Sequence, residues 1–218
     1  MGRYSSPVTY KNKVWTKSLL FLAIWTLLVL YPNPHLLVLS IYRTLKPPVN
    51  PAAVESLIAH VPPQPADIDN FISSLIPYQH DWQTYNVPWY FPTVEEAVAK
   101  RAGDCKSQFI VLASMLKALE IPHRLSYSLT HFWVIYENKM EMPLERESNA
   151  FLIRSDGQTI VKVPQEEVKQ IRQIFWESFW EAMPPVRKQL FLIGPFLSLA
   201  LGLFAGAHGR LSTVMKMS

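Results

Sequence analysis

Arg101–Glu137 reads RAGDCKSQFIVLASMLKALEIPHRLSYSLTHFWVIYE. Asp104 is a residue type that caps helices, because its side chain can accept from the free amides of a first turn. Cys105, Phe109, Leu112, Leu116 and Leu119 then recur at helical spacing, which predicts a helix with that face buried. The period changes after Glu120. "EIPHRLSYSL" predicts a strand, and "HFWVIYE" alternates as a second, with His131, Trp133 and Ile135 on one face.

The flanks extend the pattern. Residues 50–62 and 66–76 carry helical apolar spacing with a break after each. Residues 77–92 are aromatic, broken by proline and too irregular for a helix. Thr93 can cap a short helix "VEEAVAKR" with Glu95 and Glu96 in its first turn, and Gly103 is placed to end it. Downstream, "AFLIRSDGQTIVKV" predicts a hairpin turning at Asp156-Gly157. Helices first and strands afterwards predict an α+β domain.

The ends of the chain differ from its middle. Of 218 residues 49% are hydrophobic and 17% charged, which is apolar for a soluble domain. Ser18–Tyr42 holds no Asp, Glu, Lys or Arg, and as one helix would span about 37 Å against roughly 30 Å of hydrocarbon. Pro32 and Pro34 should kink it or end its first part near Tyr31. A cleaved signal peptide is the competing reading, but no small-x-small site follows. Gln189–Gly209 is a second uncharged run, about 31 Å long as a helix. Its Gly202 and Gly206, extended by Ser198, form a ridge for close helix association, with the N-terminal helix or with a second copy. Before it, "PQEEVKQIRQIFWESFWEAMPP" predicts an amphipathic helix opened by Pro164, with Glu166 and Glu167 in its first turn. Ile171, Phe175, Phe179 and Trp180 share part of one face, suited to a membrane interface or to packing on the domain.

The formal charge is +4, but Arg3, Lys11, Lys13, Lys17, Arg210 and Lys216 sit in tails with no acid, and all 17 acidic residues lie between. This is a membrane-surface pattern, and no basic-aromatic stripe suggests nucleic acid. The bias over the domain-side Arg43, Lys46, Arg187 and Lys188 predicts cytoplasmic tails and an extracytoplasmic domain. The predicted organisation is a tail at 1–17, a span at 18–42, a domain at 43–164, the amphipathic helix at 165–186, a span at 189–209 and a tail at 210–218.

The single cysteine rules out an intramolecular disulfide and the multi-thiolate zinc sites. Its predicted place in the first turn of a helix is one where free amides and the macrodipole stabilise an anion, with Lys106 adding charge nearby. A nucleophilic thiol also needs a base, and that base an orienting partner. His131 is the candidate base, because its strand position would point it at the helix start. His35 and His208 fall in the apolar runs, His123 beside Arg124 reads as loop, and His60 and His80 lack the placement.

The segment resembles the core of the transglutaminase-like superfamily. That family carries Gly-x-Cys opening a helix, a leucine-rich helix ending near Gly-Ile-Pro-x-Arg, and a strand beginning His-x-Trp-Val. Gly103 and Cys105 match the first block, Ile121, Pro122 and Arg124 the second, and His131, Trp133 and Val134 the third. Glu120 stands where the family has glycine. The approach "WYFPTVEEAVAKRAGDC" resembles that of bacterial transglutaminase-like cysteine proteinases. The resemblance covers about residues 70–160 and implies a papain-like α+β fold with a Cys-His-Asp triad. No Asp lies between His131 and Asp156. In "EMPLERESN", aligning Pro143 with the family's proline puts Glu145 in the acid's place, with Glu147 and Asn149 as alternatives. Oxyanion donors would be the Cys105 amide and one of Gln79, Trp82 or Trp89. The expected function is a membrane-anchored cysteine hydrolase, a peptidase working through Cys105, His131 and Glu145, with no cofactor and no metal. The alternative is a non-catalytic module of the same kind binding a polypeptide partner at the membrane.

Overall fold

The computed structural model describes residues 7–155, 158–165 and 167–214, with side-chain surroundings between 15 and 205. Arg3, Glu166 and the turn at Asp156-Gly157 lie outside the described residues, as do the surroundings of Lys11, Lys13, Gly206, His208, Arg210 and Lys216. The chain forms two compact units, one from residues 1–34 with 184–218, the other His35–Met183.

The first unit is a helical hairpin of α1 (Pro7–Leu30) and a terminal helix (Pro185–Val214), so both helices take in residues read as tails from sequence. Contacts pair Trp15 with Gly202, Ser18 with Ser198 and Trp25 with Leu190, an antiparallel order. The Ser18 hydroxyl bonds the Ser198 carbonyl and lies 2.9 Å from its hydroxyl, and Ser198 Oγ donates to the Ser18 carbonyl at 2.8 Å. The Trp25 indole N–H donates to the Leu190 carbonyl at 2.8 Å. A Cβ on Gly194 would lie 2.4 Å from Trp25 Cδ1, and one on Gly202 would lie 3.3 Å from Trp15. Small residues here admit large indoles. The Ser198–Gly202 ridge therefore faces α1 of the same chain.

By length and composition, Pro185–Ala205 is long and apolar enough to cross a membrane. Trp15–Leu30 meets that standard only joined to α2 (His35–Leu45) across a break. The run Ser18–Tyr42 is thus not one helix. Pro32 and Pro34 stop α1 at Leu30, as proline must where it removes amide donors. The second unit begins at His35, and α2 is tied into it. Buried Ser40 accepts from the Phe91 amide at 3.1 Å, and Arg43 donates to Glu96 at 2.8 Å, Tyr90 Oη at 2.9 Å and the Phe91 carbonyl at 3.0 Å.

In this second unit the helix read over 50–62 is a 3₁₀ turn, Pro51–Val54, followed by the single-turn α3 (Glu55–Ile58). Next come α4 (Pro65–Leu75), a short α5 (Asp81–Thr84) inside the stretch read as irregular, and α6 (Val94–Lys100). Thr93 and Glu96 cap α6 reciprocally: Thr93 Oγ1 accepts from the Glu96 amide, and Glu96 accepts from the Thr93 amide. The helix ends at Arg101 in the left-handed conformation, before Gly103 is reached. The long α7 (Cys105–Ala118) is capped by Asp104, which accepts from the Lys106 amide at 3.0 Å. It closes in a Schellman motif, with Ile121 N–H on the Leu116 carbonyl and Glu120 at φ 56°. The glycine expected there meets that φ without strain.

Strands β1 (His123–Tyr127), β2 (Phe132–Tyr136), β3 (Leu152–Ser155) and β4 (Gln158–Val161) form an antiparallel sheet in the order β2-β1-β3-β4. His123, read as loop, opens β1. One sheet face packs Tyr127, Phe132, Val134 and Tyr136 on α7, with Ile68, Ile72, Val94 and Ala97 completing the core. The other face holds Trp133, Ile135, Ala150 and Ile153. The class is α+β. The last helix of this unit, α8 (Val168–Phe175), begins past Pro164 and widens into a π turn over Trp176–Glu181. The π turn stacks Phe175 on Phe179, and the Phe179 carbonyl accepts from the Trp82 indole at 2.9 Å. The terminal helix of the hairpin, Pro185–Val214, is α9.

Candidate active site

Cys105 is the first residue of α7 and is half-buried. The chain reaches it through Gly103, which bridges Tyr78: the Gly103 amide donates to the Pro77 carbonyl at 3.2 Å, and its carbonyl accepts from the Gln79 amide at 2.9 Å. A Cβ on Gly103 would fall 2.2 Å from Ser107 Oγ, so only glycine permits this approach.

Lys106 is not the free cation read from sequence. It is 3% exposed, 2.9 Å from Asp81, and bonded to Asp104. Burial disfavours its charge, but Asp104 and Asp81 outweigh that and hold its pKa above the ordinary range. Asp81 also accepts from the Tyr90 amide at 2.7 Å, and burial pushes its carboxyl up to about 7 against the pull of Lys106. The cluster clamps the 78–90 segment to the start of α7, and Lys106 offers no unpaired charge to the thiol.

His131 reaches the thiol by a different route from the one its strand position suggested. The face that meets α7 is Phe132-Val134-Tyr136, so alternation would turn His131 away. His131 instead precedes β2, in a turn where its amide donates to Ser128 Oγ at 3.0 Å and its carbonyl accepts from the Ser128 amide at 2.9 Å. Its ring stacks on Trp133, with centroids 6.0 Å apart. Burial opposes the imidazolium, but hydrogen bonds to Cys105 and Glu145 outweigh it and raise the His131 pKa to about 9.

Glu145 lies 3.3 Å from His131 Nε2 through Oε1. It sits in a 3₁₀ turn, Pro143–Glu145, and not on a strand. Burial raises its pKa, but His131 and Lys139 prevail and hold it below the usual value. The alternatives are engaged elsewhere: Glu147 pairs with Arg124 at 3.1 Å and Lys162 at 2.8 Å, and Asn149 donates to the Pro143 carbonyl at 3.0 Å.

Lys139 was not anticipated. Its ammonium lies 3.0 Å from Glu145 Oε2, 3.5 Å from Asp69 and 3.0 Å from the Val134 carbonyl. A single Lys after a strand carries no sequence signal for this, because Asp69 comes from α4. Of the oxyanion candidates, the Trp82 indole is spent on Phe179. Gln79 Oε1 accepts from Thr84 at 3.1 Å, while its backbone is anchored to Gly103. Among the other histidines, His60 contacts the Ser56 carbonyl, His80 caps α5 and His123 contacts the Ile121 carbonyl. Cys105, His131 and Glu145 line a common cleft of about 330 Å³. Among the described residues no group of three or more His, Cys, Asp or Glu could hold a metal ion.

This is a thiol at a helix start, an imidazole in the same cleft, and a carboxylate on that imidazole, the arrangement of a nucleophile with an oriented base. No protein-family model matches the chain, and no curated protein or solved structure does either.

Proposed function

We propose that the protein is a membrane-anchored cysteine hydrolase of transglutaminase-like, papain-like architecture, acting as a peptidase. The observation that carries this reading is the convergence of Cys105, His131 and Glu145 from a helix start, a turn and a 3₁₀ turn on one open cleft. The Cys105 thiolate attacks the substrate carbonyl carbon, forming an S–C bond. The oxyanion is met by the Cys105 amide, which has no intrahelical partner at this position. His131 then gives its proton to the leaving amine as the C–N bond breaks. Water, deprotonated by His131, releases the acid and restores the thiol. Glu145 orients the ring and stabilises its cation. No step calls for a cofactor.

The hairpin of α1 and α9 provides the anchor in this reading, as two spans with cytoplasmic tails and the domain outside. Its support is the long apolar stretch Pro185–Ala205 of α9, the apolar Ser18–Leu30 of α1, which reaches spanning length only together with α2, and the placement of Lys and Arg. Because Cys105 is the only cysteine, one experiment tests the thiol and the side together. A membrane-impermeant maleimide added to intact cells should label the wild type and not Cys105→Ala. Labelling only after permeabilisation would overturn the topology. Labelling only after denaturation would overturn the nucleophile and leave a polypeptide-binding module.

A further inference from the structure

The cleft in front of Cys105 is built for more than holding a triad. Its walls are mainly carbon, from Phe109, Leu112, Phe132, Val134, Met142 and Leu144. The charged groups in it besides His131 are Asp69, Lys139 and Glu145, and they are bound to one another. A charged substrate group entering here would give up water and find no unpaired counter-ion. An apolar group would instead be drawn in, each buried methylene being worth about a fourfold change in a binding or rate constant. Gln108 adds a polar feature. Its Nε2 donates to the Ile76 carbonyl at 2.9 Å, which turns the amide so that Oε1 is the end available as an acceptor. An acceptor on the wall of a carbon-lined cleft suits a backbone N–H, which a peptide has and a hydrocarbon chain lacks.

We propose that this cleft receives an uncharged, apolar side chain of a polypeptide substrate, within two residues of the bond that Cys105 attacks. The proposal rests on the reading of Cys105 as a nucleophile. It assigns Met142, 53% exposed at the rim, and Leu112 at the floor to specificity.

The test uses the full chain in lipid nanodiscs and acetyl-dipeptide chloromethyl ketones, which alkylate a thiolate with loss of chloride. Acetyl-Leu-Gly, acetyl-Gly-Leu, acetyl-Gly-Gly and the two glutamate counterparts of the leucine probes are compared, each rate divided by that with glutathione. One leucine probe should exceed the Gly-Gly probe by at least about tenfold, the glutamate probes should not exceed it, and Met142→Glu should cut the leucine advantage severalfold. Equal leucine and glycine rates at a Cys105 that still reacts quickly would overturn the cleft assignment and leave the nucleophile standing. An undecyl chloromethyl ketone that outruns the leucine probes, and is itself slowed by Met142→Glu, would replace the peptide side chain with a lipid acyl group. A Cys105 that no probe reaches in the folded chain would bring down the nucleophile and this proposal with it.

Discussion

His131 Nε2 stands 3.3 Å from Glu145 Oε1, and the second oxygen of that carboxylate is held by Lys139 at 3.0 Å. The carboxylate therefore meets the ring from a fixed direction. Glu145→Gln keeps the shape but no longer stabilises an imidazolium. If the protein is the peptidase proposed, this change should lower its rate by about two or more orders of magnitude, the scale of a lost triad partner. Glu147→Gln, at a residue paired with Arg124 and Lys162 outside the cleft, should stay near the wild-type rate. The reverse ranking would show that the acid is Glu147.

Lys139→Met should act through Glu145. Without the ammonium, Glu145 keeps only His131 and Asp69 only the Tyr136 hydroxyl, and the Glu145 carboxyl titrates at higher pH. The acidic limb of the pH–rate profile for Cys105 alkylation should then move upward in pH. A profile that only drops in height, with its acidic limb in place, would assign Lys139 a structural role alone.

The His131 pKa, raised from 6.5 to about 9, makes stability depend on pH. The folded state holds this proton more tightly than the unfolded one. The stabilisation is therefore complete below about 6.5 and is lost as pH rises through about 9. The scale involved is on the order of 3 kcal/mol. Denaturation of the wild type in detergent between pH 6 and 10 should show this fall, and His131→Gln should flatten it. A wild-type curve already flat over that window would contradict the pairing.

Glu120 sits at φ 56° at the end of α7, a conformation that costs a residue with a Cβ about 1 kcal/mol. Glu120→Gly should raise stability by about that amount, read as a higher Tm, with the alkylation rate unchanged. A lower Tm would mean that the flexibility added to the unfolded chain outweighs the relieved strain.

In the hairpin, a Cβ on Gly194 would press on an indole already fixed by its bond to the Leu190 carbonyl. Gly194→Leu should separate α1 from α9, seen as lost cross-linking between cysteines placed at 18 and 198 in a Cys105→Ser background. Gly202→Ala, with 3.3 Å to its nearest neighbour, should be tolerated far better. Equal damage from both would point to backbone effects and not to the Trp25 contact.

Whatever depends on neighbours a few positions apart is legible in the sequence. The Thr93–Glu96 and Asp104 caps, the buried repeat from Phe109 to Leu116, the end of α1 before Pro32 and the pairing of β3 with β4 are all of this kind, because a cap, a helical face or a proline break acts within one or two turns. The α+β class followed from the order of those elements. Tertiary structure decided the rest. Lys106 reads as a helix-start cation until Asp81 folds against it, and Lys139 reads as a loop charge until α4 brings Asp69 beside it. The sheet packs on α7 through Phe132, Val134 and Tyr136, and His131, held by Ser128 in the turn before β2, shares a cleft with Cys105. Glu145, Glu147 and Asn149 are one ambiguous cluster in sequence. They separate because two 3₁₀ turns aim Glu145 at His131 and leave Glu147 to Arg124 and Lys162. Which charge meets which, across long loops, is set by where the core lets the backbone pass, and spacing along the chain does not encode it.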